Sequence, residues 1–384
     1  MINFMLNKLE RQIQRAVVLQ KEGNIACAMS EYELVFEALL FYEELGYRKQ
    51  VDAIRRLVLV AQQTPVMTLY FLALILFHRR CFPAAAEVVD SALLLEPDLA
   101  MLHVLQARIQ KSLGNLSGAL EAYEHAQTLA PTSNGSRETF FMLTAEREMP
   151  GPDYYYWLQR FQQLLRPSSY VEIGLGHGRS LALAGSNTVT IGIDPYQGAW
   201  EKLNYVCPNG PATLFPLTSD DFFARHDLRT VIGQETFDLA FIDGLHLFEQ
   251  ALKDFINLER YAGKNSVILI HDCLPIAPIV AERERCTGFW TGDVWRIIPC
   301  LKAFRPDLEI VTIPAKPSGL GVVTNLDATS TVLADNYDEI VRYYLSLNCP
   351  ADFNRLRVIC NVVPANEESL FDRLGKTTHL RENK

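Results

Sequence analysis

The sequence contains no CxxC pair; its 8 cysteines are scattered over 384 residues. That spacing removes thiolate zinc ribbons and dithiol redox motifs, and it fits a reducing compartment, so a cytoplasmic location is expected. A concentrated Lys/Arg tract is also missing. With 36 basic against 45 acidic side chains the net charge is −9, which argues against a chain built to hold nucleic acid. Long hydrophobic runs are absent too. The greasiest stretch, Leu69–Phe77, spans 9 residues and stops at His78-Arg79-Arg80, too short to cross a bilayer. The start, MINFMLNKLERQIQ, places charges where a signal peptide would need its apolar stretch. What is plentiful is apolar material, 49% of residues, enough for two cores.

The first third reads as helical, with a repeat of 34 residues. Ala73, Ala85, Ala92 and Pro97 recur as Ala107, Ala119, Ala126 and Pro131, and Val89 recurs as Tyr123. Small residues at fixed offsets let two helices approach closely, and the proline stops the second helix of each pair. Gly114 falls in the turn of one unit, where the preceding unit has Arg80. A degenerate earlier copy contains Ala16, Gly23, Ala28 and Tyr32, whereas residues 36–64 are helical in pattern without fitting the period. The period and the order of small, small, aromatic, Ala and Pro resemble tetratricopeptide repeats; a plain helical bundle is the alternative. A short array of this kind implies a concave face for a peptide, a second subunit or the next domain.

A break at Pro131–Ser136 precedes a helix expected over Ser136–Glu148, which Met149-Pro150-Gly151-Pro152 ends. Asp153 is placed to cap a further helix opening with Tyr154, Tyr155, Tyr156 and Trp157. Strands are then predicted at Ser169–Ile173, Thr188–Ile193, Ala212–Leu217, Phe237–Ile242, Ser266–Ile270, Leu308–Ile313 and Gly321–Thr324. Helices are expected over Ser180–Ala184, Asp220–Arg225, Leu247–Tyr261, Val294–Phe304 and Tyr337–Leu347. Apolar strands alternating with amphipathic segments imply a mostly parallel sheet covered on both faces, its last two strands forming a hairpin. The expected organisation is an all-α helical repeat domain over 1–131, linker and lead-in helices over 132–168, an α/β Rossmann-like domain over 169–330, and a helical extension over 331–384.

The most informative stretch is YVEIGLGHGRS, Tyr170–Ser180, followed by Asp194 at the end of VTIGID, 22 residues beyond Glu172. A strand opening into Gly174, Gly176 and Gly178, with a carboxylate after the next strand, describes the nucleotide-binding half of an α/β domain. A pyrophosphate turn gains little from Glu172 at that edge. A cationic sulfonium amino acid gains more, because Glu172 can organise the glycine loop and help hold the ammonium end. Asp194 can accept both ribose hydroxyl protons, and glycines at 174 and 176 leave room beside the ligand. LTSDDFF puts Ser219 and Asp220 at the next strand end, where Asp220 is an acceptor for an adenine amino group or a helix N-cap, with Asp221 a comparable cap. Tyr196 is a candidate ring neighbour.

With these residues in order, Tyr170–Thr324 resembles a class I S-adenosylmethionine-dependent methyltransferase, whose sheet has seven strands. Within that superfamily FIDGLH…LKDF…VILIHD resembles the small-molecule O-methyltransferases of the macrolide-sugar branch, the methyltransferase-24 family. The resemblance implies S-adenosyl-L-methionine as methyl donor and a hydroxylated small molecule, such as a sugar or natural-product intermediate, as acceptor. It implies His246, in a DGxH arrangement with Asp243, as the base that removes the acceptor proton. It further implies a divalent ion, magnesium or manganese, on Asp243 and Asp272. His271 stands where that branch has a carboxylate ligand and is counted as a substitute ligand; Cys273 stands where catechol-like enzymes have an amide. Beyond the resemblance, Trp290, Asp293 and Trp295 in FWTGDVWR form an acceptor-side patch, or a helix cap with a core tryptophan. Two other functions stay open: methylation of a protein or peptide recruited by the repeats, and a donor-binding scaffold without turnover.

Overall fold

The structure, a computed structural model, describes residues 2–24, 27–28, 31–32, 34–35, 38, 65–130, 134–195, 212–367 and 370. Most of the pattern expected over 36–64, the break residue Pro131, Tyr196 and residues 371–384 of the C-terminal extension lie outside these. The chain divides into two units, Met1–Leu143 and Thr144–Lys384.

In the first unit, α1 (Ile2–Lys21) is followed, among the described helices, by α2 (Pro65–His78), α3 (Phe82–Leu95), α4 (Ala100–Ser112) and α5 (Leu116–Leu129). Helix α2 packs on α3, α3 on α4, and α4 on α5. The recurring alanines sit where the helices meet: Ala73, Ala85, Ala92, Ala107 and Ala119 are fully buried. Ala16, Ala28 and Tyr32 of the earlier copy are buried as well. The turns share one backbone conformation. Gly23 and Gly114 sit at φ +80°, and Arg80 adopts φ +60° where the period asks for glycine. The departure at Arg80 is therefore one of side chain and not of backbone; it costs about 1 kcal/mol because a Cβ crowds the following carbonyl in left-handed backbone.

The second unit is entered through α6 (Asn134–Glu148), which crosses the division, and α7 (Tyr154–Leu165). Asp153 caps α7 by accepting the Tyr156 N–H at 2.9 Å, as expected. Seven strands follow: β1 (Ser169–Ile173), β2 (Val189–Ile193), β3 (Ala212–Phe215), β4 (Phe237–Ile242), β5 (Ala262–His271), β6 (Glu309–Ile313) and β7 (Leu320–Thr324). Their order is β3-β2-β1-β4-β5-β7-β6, and β7 alone runs against its neighbours. The chain winds outward from β1 to β3 and then returns to β4 on the other side. That reversal opens a crevice at the carboxyl ends of β1 and β4. Register puts Ile173 beside Ile193 and Ile242, and Ile242 beside Ile270. The residues after them, Gly174, Asp194, Asp243 and His271, consequently share one rim.

Three expected elements differ. Ser180–Ala184 forms only a 3-10 turn at Leu181–Leu183, since Gly178 and Gly185 leave too few residues to nucleate an α-helix. Val294–Phe304 divides into a 3-10 turn, Val294–Arg296, and α11 (Ile297–Phe304), because Pro299 is tolerated only in a first turn. Strand β5 begins four residues earlier than the apolar run, pairing Ala262 with Phe237 across a bulge. Between β3 and β5 lie α8 (Ser219–Arg225), α9 (Leu228–Ile232) and α10 (Phe248–Glu259). Beyond β7 the described helices include α12 (Val332–Asp335), α13 (Tyr337–Leu345) and α14 (Phe353–Ile359). The stretch after α14 bonds to the β6 edge, with Thr312 N–H donating to Asn361 and Val363 N–H to Thr312, which blunts an open strand.

The turn at Gly114 has open space where a Cβ would stand, so only its backbone angle resists substitution. Gly114→Ala is expected to cost about 1 kcal/mol. A urea titration of the full chain followed by circular dichroism would check this, and an unchanged midpoint would contradict a left-handed turn there.

Candidate active site

The glycine loop is held by the strand exits around it. Gly174 N–H donates to the Ile193 carbonyl at 2.9 Å, and Asp243 N–H donates to the Ile173 carbonyl at 2.8 Å. Gly174 sits at φ +86°, and a Cβ on it would lie 2.0 Å from the Asp243 carbonyl oxygen. Its side chain is therefore excluded by the neighbouring backbone, not by ligand clearance as the sequence reading supposed. Gly176, at φ +49°, has nothing within 4 Å of a built Cβ and faces open space. Gly178, at φ +70°, closes the turn by donating to the Leu175 carbonyl. Asp194 accepts the Leu175 N–H at 2.7 Å, so one carboxylate oxygen steadies the loop.

Glu172 lies at the floor of this loop and does not line the cavity above it. Its carboxyl accepts from Tyr170 at 2.7 Å and from Ser180, whose residue does line the cavity. Burial pushes the Glu172 carboxyl up to about 8; the two hydroxyls oppose the shift and the charges of Asp243 and Asp194 add to it. The group is mainly neutral near pH 7, which weakens any direct hold on an ammonium ion.

A second cluster forms where α8 meets α10. Thr218 is the N-cap of α8, accepting the Asp221 N–H at 3.1 Å, so neither Asp220 nor Asp221 has that duty. Asp220 is in the first turn, bonded to Lys253 at 2.6 Å and Gln250 at 3.2 Å. Burial alone would raise its carboxyl, but Lys253 and Gln250 bring it below its ordinary value. The Gln250 amide also reaches Ser219 at 3.1 Å and Asp254 at 3.0 Å. Burial lifts the Asp254 carboxyl to about 6, against the pull of Ser219 and Gln250. Gln250 and Asp254 were missed by sequence reasoning. They are one turn apart on α10, a polar pair within an otherwise apolar face, and that interruption was the readable sign.

The rim of β4 and β5 carries two carboxylates and two imidazoles. His246 and Asp272 hold left-handed backbone, at φ +58° and +60°. The Nδ1 of His246 bonds Asp272, and its Nε2 lies 4.0 Å from Asp243. His271 is buried behind them, with Nδ1 at 3.1 Å from Asp243 and 3.4 Å from Asp272. Burial disfavours charge on His271, yet Asp243 and Asp272 outweigh it and push its pKa up to about 9. Burial likewise opposes charge on His246, and Asp272 followed by Asp243 raises it above the ordinary imidazole range. Asp272 is held below the usual carboxylate range by His271 and His246 despite its burial. Among the described residues, Asp243, His246 and Asp272 have ligand atoms within 4.8 Å of one another. Cys273 is buried, its Sγ bonded to the Ile270 carbonyl at 3.3 Å.

The FWTGDVWR strap serves mainly to lock this rim. Asp293 is fully buried, accepting the Phe248 N–H at 2.7 Å and pairing with Arg283 and Arg296, both at 2.7 Å. It caps α10, whose own N-cap residue, Leu247, has no side-chain acceptor. A Cβ on Gly292, φ +57°, would lie 1.8 Å from the His246 carbonyl oxygen, so the strap touches the DGLH loop backbone to backbone. Trp295 is buried in the core. These positions agree with the alternative of a helix cap and a core tryptophan and not with an acceptor-side role for Asp293 and Trp295, and the helix capped is α10 and not the one that follows Asp293. Trp290 differs: its ring lies 5.3 Å from the His246 ring, and its Nε1 donates to the Glu282 carbonyl at 2.6 Å.

A cavity of about 520 Å³ joins these parts, lined by Gly174–Gly176, Asp194, Ser219, Asp220, Asp243 and His246. Tyr154 and Tyr155 also line it, although the sequence reading treated them only as a helix start. The Asp153 cap and the Tyr154 N–H bond to Lys316 fix that turn at the rim, and the Tyr154 ring packs 4.1 Å from His271. The volume suits a ligand of nucleoside size.

Residues 171–273 match a family model described as a methyltransferase domain, the methyltransferase-24 family. No curated protein matches the chain. Similar solved structures include the O-methyltransferase TomG from Streptomyces achromogenes, in complex with SAM. It is 14% identical, covering 54% of this chain and 96% of that one, with a TM-score of 0.36. An O-methyltransferase from Bacillus cereus in complex with SAH is 15% identical, covering 53% and 99%, with a TM-score of 0.33. The Podospora anserina methyltransferase PaMTH1, bound to SAH, is 13% identical, covering 55% and 88%, at 0.35. Likeness at that level says nothing about substrate. Among the described residues no helix is long and apolar enough to cross a membrane.

Native Glu172 keeps its proton where the unfolded chain has lost it, between about 4.5 and about 8. Its contribution to stability therefore falls as pH rises through that window. Glu172→Gln should gain about 1–3 kcal/mol over the parent between pH 5 and pH 8, read from unfolding midpoints; a constant difference would show that the parent carboxyl is not neutral. Gly174→Ala should cost about 3 kcal/mol or more, while Gly176→Ala should cost about 1 kcal/mol. Thermal unfolding of both variants tests this, and equal losses would refute the distinction between them.

Proposed function

We propose that residues 144–384 transfer a methyl group from S-adenosyl-L-methionine to a hydroxyl oxygen of a small molecule, with His246 as general base. The observation that carries this reading is a single cavity lined both by the glycine loop with Asp194 and by the His246 imidazole. The methyltransferase-domain match over 171–273 supports it independently. The donor supplies a methyl made electrophilic by its sulfonium. Asp194 is assigned the ribose hydroxyls; one of its oxygens already bonds the Leu175 N–H, and a carboxylate has further lone pairs to offer. Gly176 supplies the open wall beside it. Ser219 and Asp220 are assigned the adenine side. Asp220 keeps acceptor capacity beyond Lys253 and Gln250, and the Gln250 bridge fixes its direction.

The Asp272 bond to Nδ1 leaves Nε2 of His246 as the atom that removes the acceptor proton. The raised His246 pKa makes it a stronger base, and it sets the direction of the pH dependence. Turnover requires free imidazole, so the rate rises as pH climbs through a value above the ordinary imidazole range. Asp243 faces the same cavity and offsets the charge His246 acquires. Trp290, packed on the His246 ring, is the one strap residue retained as an acceptor contact. Tetratricopeptide-like character of the first unit is part of the same proposal, supported by burial of the recurring alanines.

Asp194→Ala should abolish donor uptake measured by calorimetry with S-adenosylhomocysteine. His246→Ala should keep affinity within a few-fold and slow methyl transfer roughly 100- to 10,000-fold, measured by mass gain of the acceptor. Asp272→Asn should shift the rising limb of the pH–rate profile downward. Unimpaired uptake by D194A, or unimpaired turnover by H246A, would remove the corresponding role.

A further inference from the structure

We propose that the side-chain carbonyl of Gln250 selects a 6-amino purine in the methyl donor, accepting a hydrogen bond from its exocyclic amino group alongside Asp220. This role rests on the methyl-transfer reading, which brings an adenosyl group into the cavity. Gln250 is in the first turn of α10 and lines that cavity with Ser219, Asp220 and Asp254. Its Nε2 has Asp254 Oδ1 at 3.0 Å, Ser219 Oγ at 3.1 Å and Asp220 Oδ1 at 3.2 Å. Two protons facing three acceptors leave none for a ligand. The amide cannot be turned over, because Oε1 in that place would meet two carboxylate oxygens. Oε1 is thereby fixed as the other end of the group, and among the described residues no side chain donates to it.

The neighbours of the amide leave this end of the cavity rich in acceptors. Asp254 is buried and stands one turn further along the same helix, so it anchors Nε2 from below the lining. Asp220 is held on its second oxygen by Lys253 at 2.6 Å, and Lys253 does not itself line the cavity. Thr218 gives its hydroxyl proton to Asp221 at 3.0 Å. Ser219 has one hydroxyl proton to give. Against that single proton stand the oxygens of Asp220 and Oε1 of Gln250. A purine with an amino group at C6 can donate to both residues. A purine with a carbonyl at C6 can only accept there, and it would set oxygen against oxygen. The polarity of the cluster thus separates adenosyl from inosyl ligands.

The test is calorimetry on the full chain with S-adenosylhomocysteine and with S-inosylhomocysteine, its 6-oxo counterpart, and needs no methyl acceptor. The parent should bind the adenosyl ligand about 10- to 100-fold more tightly than the inosyl one. Gln250→Met, which keeps the side chain's length and removes its amide, should lower that ratio about 3- to 10-fold through weaker adenosyl binding. A purely structural role weakens both ligands alike, so an unchanged ratio in Q250M overturns the inference. Asp220→Ala should keep part of the preference, since Gln250 stays anchored on Ser219 and Asp254; its complete loss assigns selection to Asp220 alone and overturns the role of Gln250. Should Q250M fail to fold, Gln250→Asn, with the amide one methylene short, is held to the same ratio. Should neither fold, the parent decides, and equal affinity for the two ligands overturns the inference. A parent that binds neither ligand sinks the methyl-transfer reading, and this role with it.

Discussion

Two carboxylates that leave adjacent parallel strands one residue apart in level repel each other, and the repulsion is eased by imidazole partners set between them. Asp243 and Asp272 are in that position because β4 and β5 are paired with Ile242 beside Ile270. The surrounding arrangement answers this demand. His271 lies between the two acids, His246 bonds the second of them, and Ser318 completes the set. Each imidazole is held more basic than usual by the same carboxylates that need it. The contacts at the rim thus fix the direction of the His246 ring, which lines the cavity.

Glycine is used here for contact more than for freedom. Gly174 admits the carbonyl of Asp243, and Gly292 admits the carbonyl of His246, each at a distance no side chain would allow. Three backbone segments, the glycine loop, the DGLH loop and the GDVW strap, consequently pack without intervening side chains. Asp293 adds to this by capping α10 from 45 residues further along the chain. A left-handed residue such as His246 costs of the order of 1 kcal/mol, and such a conformation persists only where its neighbours over-determine it. The strap and the Asp272 bond supply that constraint.

The two walls of the cavity differ in character. One wall is assembled from main-chain groups and from acids tied to neighbours, Asp194 to the loop and Asp220 to Lys253. The other wall carries aromatic rings and an imidazole, with Tyr154, Tyr155 and His246 along it and Trp290 packed on the His246 ring. The first unit follows another logic. Its helices are brought together by alanines at a fixed spacing, and its turns keep one left-handed residue whether or not that residue is glycine.

Much was legible from local pattern. Strands β1 and β4 have the bounds their apolar runs imply, and the order of motifs put Asp194, Asp243 and Asp272 at strand ends, because period and turn residues are local properties. The 3-10 turn after the glycine loop and the broken helix at Pro299 follow from equally local properties, the short segment between two glycines and the position of the proline. What the letters could not decide was who faces whom. Glu172 looks like a ligand contact until burial shows it bonded to Tyr170 and Ser180. Asp293 reads equally as an acceptor-side group or as the cap of the next helix until a helix start 45 residues earlier claims it, and Gly174 looks like ligand clearance until the β4 exit fills its space. The sequence by itself determined the elements, their order and the chemistry available at each strand end. Only the tertiary structure decided which carboxylates are neutralised, which glycines are filled by backbone and which imidazole nitrogen is left facing the cavity, because those outcomes depend on partners distant in the chain and on how much water the packing excludes.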